Sequence, residues 1–290
     1  MPYINNCGVN IYYETHGSGE PLLLVQGLGG CIRGWDCQVK FFAKNYKVIL
    51  IDNRGAGLSD KPDEEYSLDI FASDVKTVLD TIGERQVNIL GVSMGGFIAQ
   101  RFYSLFPEMV KTMILGCTGT GLNDPHHHMF SPELKSIIHS ERNDDNYPFL
   151  TKEMHKHFFH PKFRAKNTRF MEAVFRFAKL EPQPHHSYKR QLMACYSTPE
   201  LSKFLDKITV PTLVIHGADD VVVPVANAHY LANNIPNSKL KIIPETGHMF
   251  FIEKCANFND DVLEFLRGNH NICNHCAQIN KRPNGLSMQA

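Results

Sequence analysis

The chain has 290 residues, 43% hydrophobic and 21% charged, enough apolar material for a sizeable core under an ordinary globular surface. Its 30 basic and 30 acidic residues cancel, so nothing suggests nucleic acid or an anionic membrane surface, and neither is expected as a partner. There is no apolar run of membrane-spanning length, and Met1 to Asn6 lacks both the basic start and the apolar core of a signal peptide.

The cytoplasm is therefore the expected compartment, and the eight scattered cysteines are expected as free thiols. In chain order, Val9 to Glu14 reads as a strand closed by the turn His16-Gly17-Ser18-Gly19. Pro21 to Val25 is continuously apolar, the pattern of a strand covered on both faces. It runs into Gln26-Gly27-Leu28-Gly29-Gly30, a loop flexible enough to bring backbone N–H groups against a ligand. A helix follows over Trp35 to Ala43, then a buried strand over Lys47 to Ile51 that ends in Asp52-Asn53-Arg54-Gly55-Ala56-Gly57-Leu58-Ser59. Leu68 to Ile82 is helical, with Ile70, Val75, Val78, Leu79 and Ile82 on its apolar side. Val87 to Leu90 is a strand, Gly96 to Leu105 a helix, and Val110 to Leu115 the next strand. Strand and helix alternate, so the class is α/β, with a mostly parallel sheet flanked by helices.

The alternation breaks after Gly121. From 122 to 204 no strand-like run occurs, and Thr168 to Leu180 carries Phe170, Val174, Phe177 and Ala178 at helical spacing. This segment reads as an inserted helical lid between two parts of the core, 1–121 and 205–267. The sheet resumes at Val210 to Gly217, a helix follows near Val225 to Asn233, Leu240 to Ile243 is the last strand, and Phe258 to Leu266 is the last long helix. Residues 268–290 are polar and without periodicity, a tail expected to be mobile.

In a parallel sheet, reactive groups collect at the carboxyl ends of the strands. Four features stand just past such ends: Gln26-Gly27-Leu28, Gly91-Val92-Ser93-Met94-Gly95, Asp219-Asp220 and Glu245-Thr246-Gly247-His248. A serine flanked by glycines in a strand-to-helix turn is held with its hydroxyl exposed, and the Met94 N–H at the start of the helix faces the place where negative charge would develop. A neutral hydroxyl needs a base to attack a carbonyl, and His248 can be that base if a carboxylate orients it. Side chains at Asp219 and Asp220 point apart, so only one of them can serve.

The Gly-x-Ser-x-Gly elbow, the order serine, acid, histidine, the Asp-x-Arg-Gly-x-Gly-x-Ser stretch after Ile51 and the Gly-His-Met-Phe-Phe-Ile-Glu run from Gly247 together resemble α/β-hydrolases. The nearest type is that of the esterases, lactonases (3-oxoadipate enol-lactonase among them) and cofactor-free haloperoxidases. The resemblance implies Ser93 as nucleophile, His248 as base and, from the family spacing ahead of Pro224, Asp220 as acid. It also implies an oxyanion hole made by the backbone N–H groups of Leu28 and Met94. Many members carry His-Gly where this chain has Gln26-Gly27, and glutamine can brace the loop by the same kind of hydrogen bond. Arg54 and Asp52 are expected to brace loops.

Gln26, Trp35, Phe130, Phe175 and Met249 are the residues expected at the substrate. No cofactor and no metal are expected: His126 to His128, His155, His157, His185 and His186 read as solvated lid surface, and Cys273-x-x-Cys276 with His270 and His275 lacks a second zinc knuckle. The reaction expected is hydrolysis of a small or medium ester or lactone through an acyl-enzyme. Two alternatives stay open: hydrolysis of carbon–carbon bonds in ring-cleavage products, and a weakly catalytic ligand-binding protein on the same fold. Neither the natural substrate nor the oligomeric state is set by the sequence.

Overall fold

The structure is a computed structural model that describes residues 2–143, 145–180, 183–197 and 199–279, the side chains of 178–180 and 269–279 excepted. Five parallel strands, β3 (Glu20–Val25), β4 (Tyr46–Ile51), β5 (Val87–Val92), β6 (Val110–Gly116) and β7 (Thr212–Gly217), are buried along most of their length. Such burial requires the near-continuous apolar runs seen in the sequence. β8 (Ser238–Ile243) pairs in parallel with β7 at one edge. At the other, β2 (Val9–His16) runs antiparallel to β4, and β1 (Tyr3–Asn6) antiparallel to β2. β1 is absent from the sequence-based reading because its asparagines are poor strand formers. Cys7 and Gly8, both at positive φ, close the hairpin that makes it a strand.

The order across the sheet is β1-β2-β4-β3-β5-β6-β7-β8. After β3 the chain adds β4 on one side and then crosses to place β5 on the other, so the strand order reverses between β3 and β5. Val25 at the end of β3 lies in register with Gly91 near the end of β5. The loop Gln26 to Gly30 and the serine turn therefore emerge side by side, at the crevice where such sheets bind ligands.

Helices cover both faces. On one side α2 (Leu68–Thr81), α3 (Met94–Leu105) and α9 (Ala226–Asn234) bury Phe71, Val75, Ile98, Phe102 and Leu231 against the sheet. The side chain of Ser67 caps α2 by accepting from the Ile70 N–H at 3.2 Å. On the other side α1 (Asp36–Phe42), α10 (Phe250–Glu253) and α11 (Cys255–Ile279) bury Phe42, Phe250, Phe258 and Val262. α11 runs well past Leu266 and takes in the start of the polar segment expected to be a mobile tail. Cys273, Cys276, His270 and His275 fall where side chains lie outside the described residues, as do 280–290 entirely.

Cys37 on α1 and Cys255 at the start of α11 form a disulfide across 218 positions, correcting the expectation of free thiols at these two sites. Cys7 and Cys117 remain free thiols. Beside the bridge, buried Gln38 donates to the carbonyl of Phe251 at 2.8 Å and to Asn259 Oδ1 at 3.2 Å, tying α1 to both α10 and α11. Disulfides persist in oxidising surroundings, so one support for a cytoplasmic location is removed. Cross-linking so long a loop restricts the unfolded chain, and reduction or Cys37→Ser is expected to lower unfolding free energy by about 2–4 kcal/mol. Urea unfolding with and without reductant measures this, and coincident transitions would contradict it.

Between β6 and β7 lie α4 (Pro132–His139), α5 (Tyr147–Phe158), α6 (Pro161–Lys166), α7 (Thr168–Leu180) and α8 (His185–Tyr196), with no strand among the described residues. Phe130, Leu134, Ile138, Met154, Tyr188 and Leu192 make a small core for this layer and pack on Val222 and Val223 beyond β7. Among the described residues no helix is long and apolar enough to cross a membrane.

Candidate active site

Ser93 is the single residue between β5 and α3 and sits at φ 55°, ψ −123°. A non-glycine residue there costs about 1–3 kcal/mol, which the surrounding contacts must offset. A Cβ on Gly91 would strike the carbonyl of Gly95, and one on Gly95 would strike that of Val25, so both glycines are needed for the turn to close against β3. The Ser93 N–H donates to the Gly116 carbonyl at 2.9 Å. Its own carbonyl accepts from Thr118 Oγ1 at 2.8 Å and from the Gly96 N–H at 2.9 Å. With its backbone pinned, Ser93 lines a cavity of about 650 Å³.

The loop after β7 carries Asp220, buried and held by four contacts. Its Oδ1 accepts from the N–H groups of Val222 at 2.8 Å and Val223 at 2.9 Å. Its Oδ2 faces His248 Nδ1 at 2.8 Å and His216 Nε2 at 3.2 Å. Burial alone would raise the carboxyl pKa, but the two histidines and their hydrogen bonds outweigh it and hold Asp220 well below the usual carboxylate range. An ionised carboxylate only accepts, so the proton of this pair sits on His248 Nδ1 and leaves Nε2 as the basic nitrogen. His248 lines the same cavity as Ser93. Asp219 is more than half exposed, and its oxygen lies 3.6 Å from His160 Nε2.

His216 was not singled out from the sequence. It is fully buried on β7, and its Nε2 also stands 2.8 Å from the Val223 carbonyl, so it donates there and toward Asp220. Its Nδ1 has no partner among the described residues. Glu253 on α10 is a second unforeseen carboxylate: it accepts from the Gly247 N–H at 2.9 Å and the His160 N–H at 3.2 Å, bracing the loop that bears His248. Burial pushes its pKa up to about 7, against those two hydrogen bonds, with the nearby Asp220 charge adding to the rise. The folded state therefore holds a proton that the unfolded state releases near pH 4.5. Stability from this group is full below that pH and is lost as pH rises through about 7. In Glu253→Gln, the fall in melting temperature from pH 5 to pH 8 should be smaller than in the wild type, and an equal or steeper fall would contradict this assignment.

On the other wall stands the loop after β3. The Leu28 N–H has no acceptor among the described residues, while the Gly29 N–H donates to Gln191 Oε1 of α8 at 2.9 Å. Gln191 in turn donates to the Arg54 carbonyl at 2.8 Å, so the lid is tied to both loops of this wall. Asp52 accepts from the Ile32 N–H at 2.7 Å and the Leu58 N–H at 2.8 Å, and Arg54 makes two 2.7 Å bonds with Asp74. Both residues brace loops, as the sequence suggests. Met94 is buried, and its N–H belongs to the first turn of α3, where helical donors lack internal acceptors.

Gln26 and Met249 line the cavity, whereas Trp35, Phe130 and Phe175 are not among its walls. Trp35 is wholly buried in the opposite core, its ring 5.1 Å from that of Phe251. Phe130 belongs to the lid core, and Phe175 packs edge-on against His155 at 5.2 Å. The wall is supplied instead by Leu58, Tyr147, Phe158, Val174, Phe177 and Tyr188, all but the first from the lid. Phe158 packs at 5.5 Å against His248 itself, the rings tilted by 33°. The histidines of the lid also differ from expectation: His155 lines the cavity, and His127 is buried, its pKa lowered to about 4 by desolvation. Among the described residues no three His, Cys, Asp or Glu side chains gather as metal ligands do.

Residues 20–254 match the family described as alpha/beta hydrolase fold. The chain belongs to that family. This hydrolase is 29% identical over 268 residues to 2-hydroxy-6-oxo-6-(2'-aminophenyl)hexa-2,4-dienoic acid hydrolase of Metapseudomonas resinovorans, covering 91% of this chain and 90% of that one. Among solved structures it resembles an N-acyl homoserine lactone degrading enzyme, with TM-score 0.76, 30% identity and coverage of 92% and 99%. It shares its fold with the enol-lactonase from Burkholderia xenovorans, with TM-score 0.80, 22% identity and coverage of 92% and 100%.

Proposed function

We propose that this hydrolase cleaves carboxylic esters or lactones through an acyl-enzyme on Ser93. The observation that carries the reading is the 2.8 Å His248–Asp220 pair facing the cavity that Ser93 lines from its strained turn. Ser93 Oγ attacks the carbonyl carbon as its proton passes to His248 Nε2. The carbonyl electron pair moves onto oxygen, and the N–H groups of Leu28 and Met94 stabilise that oxyanion. When the tetrahedral centre collapses, the alkoxide leaves with the proton from His248. Water then repeats the cycle on the acyl-enzyme and frees Ser93. Asp220 keeps the imidazole in one tautomer and stabilises its cation. Every step is acyl or proton transfer among these groups and water. A role for His216 follows from its position: it shares Asp220 with His248 and so orients the acid.

The dienoic acid hydrolase similarity favours a second reading, cleavage of a carbon–carbon bond beside a ketone with the same serine and histidine. A panel of 4-nitrophenyl esters, lactones and a vinylogous diketone acid separates them. The proposal expects a burst of nitrophenolate followed by steady turnover, together with lactone opening. Cleavage of the diketone acid alone would replace it with the second reading. A ligand that raises the melting temperature and is never consumed would favour the binding-protein alternative.

A further inference from the structure

The charged residues that line the cavity, apart from its histidines, are Lys61 and Arg142, both cations, with no aspartate or glutamate among the described lining residues. The two cations are placed differently. Lys61 Nζ donates to the carbonyls of Gly57 at 2.6 Å and Ser59 at 3.0 Å, which occupies the ammonium within its own loop. Arg142, just past α4, is fixed at its backbone by donation to His185 Nδ1 at 3.1 Å. Its guanidinium lies 3.4 Å over the centre of the Tyr188 ring. Nη1 reaches the Ile138 carbonyl only at 3.5 Å, the limit of a hydrogen bond. No carboxylate pairs with it among the described residues.

A guanidinium has five donors in a planar fork, and stacking on an aromatic face holds that fork while leaving its edge free. A half-buried cation without a counter-ion is unfavourable unless something of opposite charge completes it. Tyr188 cannot do so, because burial raises the pKa of its hydroxyl and keeps it neutral, a donor to the Ile138 carbonyl at 3.1 Å. On the lid side the cavity also carries the apolar side chains of Ile138, Met154, Val174 and Phe177.

We infer that Arg142 is an anion subsite, and that the substrate is an ester or lactone carrying one carboxylate, joined to the reacting carbonyl by a hydrocarbon segment. This rests on the hydrolase reading above and adds the substrate's charge and its placement in the lid. Of the two cations only Arg142 keeps its donors largely uncommitted, which suits a singly charged ligand, and the fork suits the two oxygens of a carboxylate.

The test compares 4-nitrophenyl monoesters of straight-chain dicarboxylic acids, from adipate upward, with analogues whose distal acid is a primary amide. At the best chain length the wild type should favour the acid roughly 10- to 100-fold in kcat/KM, chiefly through KM. Arg142→Gln should bring the ratio close to one, and Arg142→Lys, which keeps the charge but loses the fork, should retain part of it. Lack of preference at every chain length would overturn the inference, as would a preference that survives Arg142→Gln and disappears in Lys61→Gln. Thermal shifts with the free dicarboxylic acids need no turnover. Stabilisation lost in Arg142→Gln supports the subsite even if no ester is cleaved, and identical shifts in both proteins refute it.

Discussion

Ser93→Ala should remain folded and lose ester hydrolysis, with kcat falling by a factor on the order of 10⁴ to 10⁶. The fold is expected to survive because what the elbow demands of this position is met by the backbone. The Gly116, Thr118 and Gly96 hydrogen bonds all involve Ser93 main-chain atoms, which alanine keeps. Alanine carries the same cost at φ 55° as serine does, so the melting temperature should move little. Residual activity would come from the oxyanion donors and from binding alone. Circular dichroism melting alongside nitrophenyl ester turnover measures both halves. A folded variant with wild-type turnover would remove Ser93 from the mechanism.

Asp220→Asn should cost on the order of 10⁴-fold in kcat, and Asp219→Asn no more than a few-fold. Asparagine at position 220 can still accept from Val222 and Val223 through its oxygen. Its amide would then face His248 Nδ1, impose the opposite tautomer and leave the proton on Nε2, where the base is needed. Asp219 points away, toward His160 at the surface, and its loss removes only an exposed contact of little energetic weight. The two variants differ by one position in sequence and by the whole geometry in space. Turnover in the reverse order would show that the wrong carboxylate has been assigned to His248.

How much of this was legible in the sequence follows from which forces act locally. Pro21 to Val25 and Lys47 to Ile51 could be read as buried strands because a strand covered on both faces has to be apolar throughout. The elbow could be read because a serine at positive φ between a strand and a helix excludes side chains on either flank, and only glycine supplies that. The choice of Asp220 over Asp219 needed the family spacing, since two adjacent carboxylates look alike in a sequence.

What stayed hidden is set by tertiary packing. Trp35 stands close behind the oxyanion loop in sequence, yet the short 3₁₀ turn Ile32–Trp35 directs it into the core with Phe251. A large share of the pocket wall comes from lid helices, whose inward faces depend on how they pack together. Thus Tyr147 and Phe158 line the cavity while Phe149 stays exposed. His155 and His127 look like surface residues in a histidine-rich stretch, and burial shows only once α5 and the loop before α4 are packed. The Cys37–Cys255 bridge has no spacing signature, because its partners meet only through the contact of α1 with α11. Glu253 falls within the family-like run from Gly247, but its brace on the His248 loop depends on α10 folding back beneath Gly247. His216 had a faint local signal, a histidine at the buried end of the strand that leads to the acid.

Activation of Ser93 by His248 is tested by reaction of the purified protein with a fluorophosphonate, followed by proteolysis and mass spectrometry. One covalent adduct on Ser93 is expected, formed rapidly in the wild type and lost in His248→Ala. A folded protein that takes up no label on Ser93, or labels it equally well without His248, would contradict it.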